Sequence, residues 1–171
     1  SDETTPLTNW DGAAWDPREI ERFVRTRHSV RNFDQSKTLD PDLVATIVAQ
    51  ASTTPSVCNR RAYRAHYYDN SEQIQDILAL QNGNRGFGHT VGGLFVVTVR
   101  RSAFIGPGER NQRWVDGGLF AMSLVWLSHA HGIGSCFLNW SQTRYQTQKL
   151  RRVAAIPSVE DVITCIAVGH A

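Results

Sequence analysis

Apolar positions along the chain come in two spacings, one recurring every third or fourth residue and one packed into short continuous runs, and the alternation between them lays out the elements. Asp16-Pro17-Arg18-Glu19 predicts a helix start, with a side-chain cap, a proline at the first helical position and an acid in the first turn. Ile20, Phe23 and Val24 then share one face. The same grammar recurs at Asp40-Pro41-Asp42, followed by Leu43, Ile47, Val48 and Ala51, and this second helix must fail before Thr54-Pro55. Between the two, Arg27 to Lys37 has no period and reads as an ordered loop at the first helix's end.

Further on, Ala62 to Tyr68 predicts a strand, Ser71 to Gln81 a capped helix with Ile74, Ile77 and Leu78 inward, and Asn82 to Gly92 a glycine-rich loop. Leu94 to Val99 is a continuous β-branched run, the signature of a strand covered on both faces. Trp114 to Ala130 predicts a helix that is apolar nearly all round, so it must be buried on several sides. Packing against its own copy in a symmetric dimer would do that, as would a central position in a monomer. Asp116 is expected to cap this helix. His131-Gly132-Ile133-Gly134 ends it, Ser135 to Leu138 forms a strand, Gln146 to Ala154 a short helix, and Val162 to Val168 the last strand. Strands alternating with helices predict an α+β (α/β layered) domain, with a mixed central sheet flanked by helices. Residues 1–15 lack any period and read as an N-terminal arm, leaving 16–171 as a single domain.

Composition narrows the function classes. With 41% hydrophobic residues and five tryptophans the chain can bury a core. Eighteen Lys+Arg against sixteen Asp+Glu is too even a balance for bulk attraction to nucleic acid or to an anionic membrane. No apolar stretch is long enough to cross a bilayer, and the expectation is a soluble, cytoplasmic protein. Three widely spaced cysteines form no Cys-x-x-Cys pair, and Cys136 is expected to be a small buried apolar residue. The six histidines are scattered; neither a hydrolase triad nor a metal cluster is visible. No Rossmann or Walker glycine pattern stands between a strand and a helix.

One pentapeptide remains, Arg27-His28-Ser29-Val30-Arg31. Guanidinium forks and a serine hydroxyl match phosphate oxygens by offering several charge-assisted donors. Taken alone it is weak evidence for a phosphate site, since an Arg-rich helix end is more often solvated and set against the negative end of the dipole.

Four segments read together resemble the FMN-dependent nitroreductase family. Arg27 to Phe33 looks like its opening Arg-x-Ser-x-Arg motif with an aromatic nearby, and Thr54-Pro55-Ser56-Val57-Cys58-Asn59 resembles its Pro-Ser-x-x-Asn turn. Val115-Asp116-Gly117-Gly118 and the helix after it resemble the dimer-core helix, and Gly132-Ile133-Gly134-Ser135-Cys136 a Gly-Leu-Gly-Ser/Thr-Cys strand entry. Val168-Gly169-His170 is similar to the family's final strand end.

That resemblance implies a homodimer in which Arg27, His28, Ser29 and Arg31 hold the FMN phosphate and pyrimidine edge. Pro55, Ser56, Val57 and Asn59 would approach the flavin from the other subunit. Asn84 and Arg85 would add flavin contacts, and Phe137, Leu138 and Asn139 would line the ring. It implies FMN chemistry with no protein acid or base, taking two electrons from NAD(P)H to a small acceptor such as a quinone, a nitroaromatic or another unsaturated compound. A catalytically degenerate flavin-binding or partner-binding module of the same fold is the other reading.

Three departures shape these expectations. Arg60-Arg61-Ala62-Tyr63 stands where the family often has Gln-Pro-Trp, which suggests a basic edge suited to an acidic or phosphorylated partner. Phe137 to Ser141 lacks the Pro-x-Glu-Gly pattern of the well-known nitro-compound reducers. The sequence ends at Ala171, where the family's chain continues into a tail that carries Lys or Arg to the phosphate, so that tail is expected to be absent.

Overall fold

The computed structural model describes residues 15–171; apart from Trp15, the expected N-terminal arm lies outside the described residues. The helices are α1 (Pro17–Thr26), α2 (Pro41–Ala51), α3 (Ser71–Leu78), α4 (Gln112–Ala130) and α5 (Arg144–Val153), and the strands are β1 (Tyr63–Tyr68), β2 (Gly93–Arg100), β3 (Gly134–Asn139) and β4 (Glu160–Gly169). Asp16 and Asp40 cap α1 and α2 as their Asp-Pro starts predict, each accepting from the backbone N–H two residues on. Thr143 and Gln146 close a reciprocal capping box on α5, which sets its start two residues earlier than the apolar spacing suggests. Helix α3 stops short of Gln81 because the Asn84 side-chain amide takes the Leu78 and Gln81 carbonyls at 2.7 and 2.8 Å, turning the chain there.

The sheet runs in the order β1-β2-β4-β3. A mixed sheet was expected, yet all three strand pairings are antiparallel, and the one parallel pairing is an isolated bridge from Ser29 to Ser135 on the outer edge of β3. The reason lies in the connections. Tyr68 at the end of β1 pairs with Leu94 at the start of β2, so that connection is a long hairpin that carries α3 rather than a crossover.

Alternation along β2 divides the core. Leu94 and Val96 face α3 and α5, together with Ile74, Ile77, Leu138, Leu150 and Cys165. Phe95, Val97 and Val99 face α2 and α4, together with Val44, Ile47, Phe120, Leu124 and Ile166. The β2–β4 register slips between Val97 and Thr98, whose partners are Thr164 and Val162, so Ile163 is bulged out of the ladder. A side chain at Gly117 of α4 would put its Cβ 2.7 Å from Ile163 Cγ1 and 2.9 Å from Val99 Cγ2. The glycine is thus what lets α4 settle onto the bulged sheet. Among the described residues no helix is long and apolar enough to cross a membrane, and no group of three potential ligands could hold a metal ion.

Candidate functional site

Three of the segments singled out in the sequence bear on β3, an edge strand whose outer side is free to receive other chain. At its start, α1 is pinned by α4: Nε2 of His129 lies 3.0 Å from both Thr26 Oγ1 and the Phe23 carbonyl. The chain leaves the helix extended at Arg27 and lies beside β3, where Val30 N–H donates to the Ser135 carbonyl at 2.9 Å. It is held again at Asp34, whose N–H donates to the His170 carbonyl at 2.9 Å, and Phe33 packs so closely on Gly169 that a Cβ there would lie 2.8 Å from the ring. The run from Arg27 to Arg31 is therefore an anchored strip rather than a loose loop. Hydrogen bonds from Ser36, first through its hydroxyl and then through its N–H, hold Asp34 down to about 2, so its charge persists at all ordinary pH.

This strip borders a cleft of about 250 Å³ lined by Arg27, His28, Val30, Gly134, Ser135 and Ala171 among others, with no carboxylate side chain in its wall. His28 Nδ1 lies 2.9 Å from the Thr26 carbonyl, which can only accept, so Nδ1 carries the proton and Nε2 is left to the solvent. Arg31 is exposed, and the Arg27 guanidinium carbon stands 6.0 Å above the Trp126 ring.

The Pro55–Asn59 turn is built differently. Cys58, Asn59 and Arg61 all take positive φ, at 48°, 51° and 45°, a region in which L residues are costly unless the surroundings hold them. Ser56 Oγ accepts the Arg61 N–H at 2.8 Å and Asn59 Oδ1 accepts Arg61 Nε at 3.0 Å. Val57 N–H donates to the two carboxylate oxygens of Asp116 at 3.3 and 3.2 Å. Asp116 therefore does not cap α4 as expected. It lies inside the helix, 1% exposed, where it also accepts from Gln112 Nε2 at 2.8 Å, and it anchors the turn. Nor is the edge as basic as Arg60-Arg61 suggests. Arg60 is tied to Glu109 and to the Ala103 carbonyl, both at 2.7 Å, and this hydrogen bond holds the Glu109 carboxyl below its usual range.

At the far end of β3, Asn84 spends its amide on the Leu78 and Gln81 carbonyls, and Arg85 is exposed. Gln81, which sequence reasoning passed over as the tail of a helix, is 5% exposed and joins the pieces. Its Nε2 donates to the Asn139 carbonyl at 3.0 Å, and its Oε1 accepts from Gly83 N–H at 2.6 Å and Asn84 Nδ2 at 3.1 Å. Its place at the end of an apolar stripe, just before Asn82-Gly83, was the signal available. Phe137 is 40% exposed on the face that α4 covers farther in, whereas Leu138 alternates inward, 2% exposed in the core, and offers only backbone to the edge.

The structure thus brings Ser29 to Ser135 at one end of β3 and Asn84 to Asn139, through Gln81, at the other. The Pro55 turn lies on the flank of α4, where Pro55 and Trp126 line an open groove of about 740 Å³.

Residues 24–83 match the model of the nitroreductase family. No curated protein matches the chain by sequence. Among solved structures, the fold is similar to that of an FMN-dependent nitroreductase from Clostridium difficile R20291, at a TM-score of 0.77 and 18% identity over 87% of this chain and 86% of that one. It is also similar to a nitroreductase family protein from Streptococcus pneumoniae TIGR4, at 0.78 and 17% over 89% and 90%. A third is a Parabacteroides distasonis protein provisionally named NADH dehydrogenase/NAD(P)H nitroreductase, at 0.77 and 13% over 89% and 86%.

Proposed function

From a chain that has the nitroreductase fold, we propose an FMN-dependent oxidoreductase that moves two electrons from NAD(P)H to a small unsaturated acceptor, with residues 16–171 forming one flavin-binding domain and two copies forming the working unit. The observation that carries this reading is the Arg27–Arg31 strip laid against the start of β3, beside a cleft with cationic and hydroxyl donors and no acidic side chain in its wall. That donor set fits a phosphate monoester. The likeness to the FMN-dependent nitroreductase of Clostridium difficile supports FMN, and that to the Parabacteroides NADH dehydrogenase/NAD(P)H nitroreductase supports a nicotinamide donor.

Bound in this way, FMN would supply the hydride and electron chemistry. The chain's own residues position and tune. Arg27 and Ser29 would donate to the phosphate, and Arg31 would place positive charge where the reduced ring gathers negative charge. Phe137 would present an apolar wall that keeps water from the ring, beside Asn139. The cleft's 250 Å³ is below the roughly 300–1,000 Å³ of pockets that enclose a ligand of cofactor size, so one chain offers only part of a site. The Pro55–Asn59 turn of a second copy would complete it. Trp114, Val115 and Leu119 on the outer side of α4 are 46–51% exposed, an apolar patch suited to that second copy.

Absorbance of the desalted protein with added FMN, followed anaerobically by NAD(P)H, tests the proposal: a bound flavin spectrum that bleaches is expected. Absence of any bound flavin would remove it. A second reading, a flavin-binding module without turnover, is favoured by one observation, that Asn84 and Leu138 are committed to the fold. A bound flavin that stays yellow with both nicotinamides would select that module.

A further inference from the structure

A second cleft, of about 400 Å³, lies beyond β3 between α5 and the turn that leads into β4. One stripe of α5 forms its wall, Arg144, Thr147, Gln148 and Arg151, at the helical spacing that puts residues on one face. Arg101, Ser158 and Asp161 face them. The single carboxylate is consumed within the fold, bonded by Arg101 at 2.6 Å and approached by Arg113 at 3.3 Å. Arg151 is held by the Pro157 carbonyl at 2.6 Å and by the Glu160 carbonyl, neutral groups that fix its geometry and leave its charge uncompensated. Three arginines against one aspartate leave the cleft with two net positive charges.

The placement of Arg144 is not explained by helix stability. It occupies the first position of α5, whose first turn has no acid, and a cation there opposes the helix dipole. Among the described residues, the side chains of Arg144, Gln148 and Ser158 make no hydrogen bond within the protein, so their donors are open to a ligand. The cleft is also joined to the redox site. Its rim residue Gln142 accepts from Asn82 at the head of the glycine-rich loop, 3.4 Å away, and it follows Asn139 by three residues of chain, a span of at most about 11 Å.

We propose that this cleft binds the phosphate of a nucleotide, and that the nucleotide is the adenosine end of the nicotinamide donor, whose other end reaches Phe137 and Asn139. The donor assignment rests on the flavin reading above; the nucleotide site does not. Since the free donors suit a phosphate monoester better than a bare ribose, NADPH is the preferred donor.

The test uses 2′,5′-ADP as probe, titrated calorimetrically into the purified protein with and without FMN. Arg144→Glu/Gln148→Glu should weaken binding by about tenfold or more. Lys149→Glu, which reverses a charge on the same helix but replaces an ammonium stacked 4.6 Å over Tyr145, should leave it unchanged. In the FMN-loaded protein, the double variant should raise the NADPH concentration for half-maximal flavin reduction about tenfold, with the bound-flavin spectrum unaltered. Failure of the wild-type protein to bind 2′,5′-ADP overturns the site, as does an equal loss in Lys149→Glu. Inorganic phosphate binding as tightly as 2′,5′-ADP, with no change in NADPH dependence, overturns the nucleotide assignment. A protein that takes no FMN but binds 2′,5′-ADP through Arg144 keeps the site while removing the flavin reading.

Discussion

The two layers that flank the sheet are built from helices of different polarity and come to different ends. On one side, α3 and α5 turn Ile74, Ile77 and Leu150 inward and present polar side chains outward, so the layer is finished. On the other, α4 buries Phe120, Ala121, Leu124 and Val125 against β2 and β4 and still has Trp114, Val115 and Leu119 facing away. Helix α1 adds Ile20 and Val24, 44% and 48% exposed, so the face they share is left half-open among the described residues. An amphipathic stripe needs one surface to cover it, whereas a helix apolar on two sides needs two. The sheet is one. The surplus marks where this protein expects another molecule, and the segments proposed to grip the flavin border that same unfinished layer.

The comparison can be broken by substitution. Leu124 and Leu150 are both 0% exposed, one in each layer, and Leu→Ala at either should cost about 2–5 kcal/mol in urea unfolding. A loss confined to Leu150 would mean that the α4 layer is not a true core. Next, Leu119→Asp should split the proposed dimer in sedimentation while the secondary structure seen by circular dichroism persists, because Leu119 is 48% exposed in the single chain. An intact dimer would show that this surplus surface is not the interface. Smaller in energy, Arg27→Ala and Ser29→Ala should each weaken FMN about tenfold without shifting the unfolding midpoint, since a phosphate grip adds to binding more than to packing. Unchanged flavin titrations for both would detach the strip from the cofactor.

The mildest effect belongs to the finished layer. Burial raises the Tyr68 phenol to about 12, and its hydroxyl donates to the Ala154 carbonyl just past α5 at 2.6 Å. A phenol that ionises less readily folded than unfolded stabilises the fold fully below its ordinary value of 10.0 and loses that contribution as pH rises toward 12. Stability should therefore fall over that alkaline interval, and Tyr68→Phe should cost about 1 kcal/mol at neutral pH while reducing the alkaline slope. An unaltered slope in the variant would assign the titration to the other raised phenols, Tyr67 and Tyr63.

Much of this was legible in the chain. The two Asp-Pro starts, the β-branched run of β2 and the glycine stop after α4 are local signals with local causes, and the structure puts elements where they indicate. The strip at Arg27–Arg31 was legible as a donor set. Its attachment to Ser135 was not, because that bridge joins residues more than a hundred positions apart. Asp116 and Gln81 show the same limit from the other side. Each looks like the trimming of its own helix, and each is a buried connector, to Val57 and to Asn139 respectively. Arg60 looked like free basic surface until Glu109 was found against it.

The sequence by itself determined the period of each segment, hence which residues could face a core, where helices begin and which donors stand together within a few residues. Only the tertiary structure decided that the strands pair antiparallel, that Ile163 bulges over Gly117, and that the phosphate-matching strip, the glycine-rich loop and the second basic cleft are all arranged around β3. The physical reason is one of range. Caps, turns and amphipathic stripes are settled by interactions within a few residues, whereas register, burial of a polar connector and the meeting of distant donors depend on which surfaces the whole chain can bury at once.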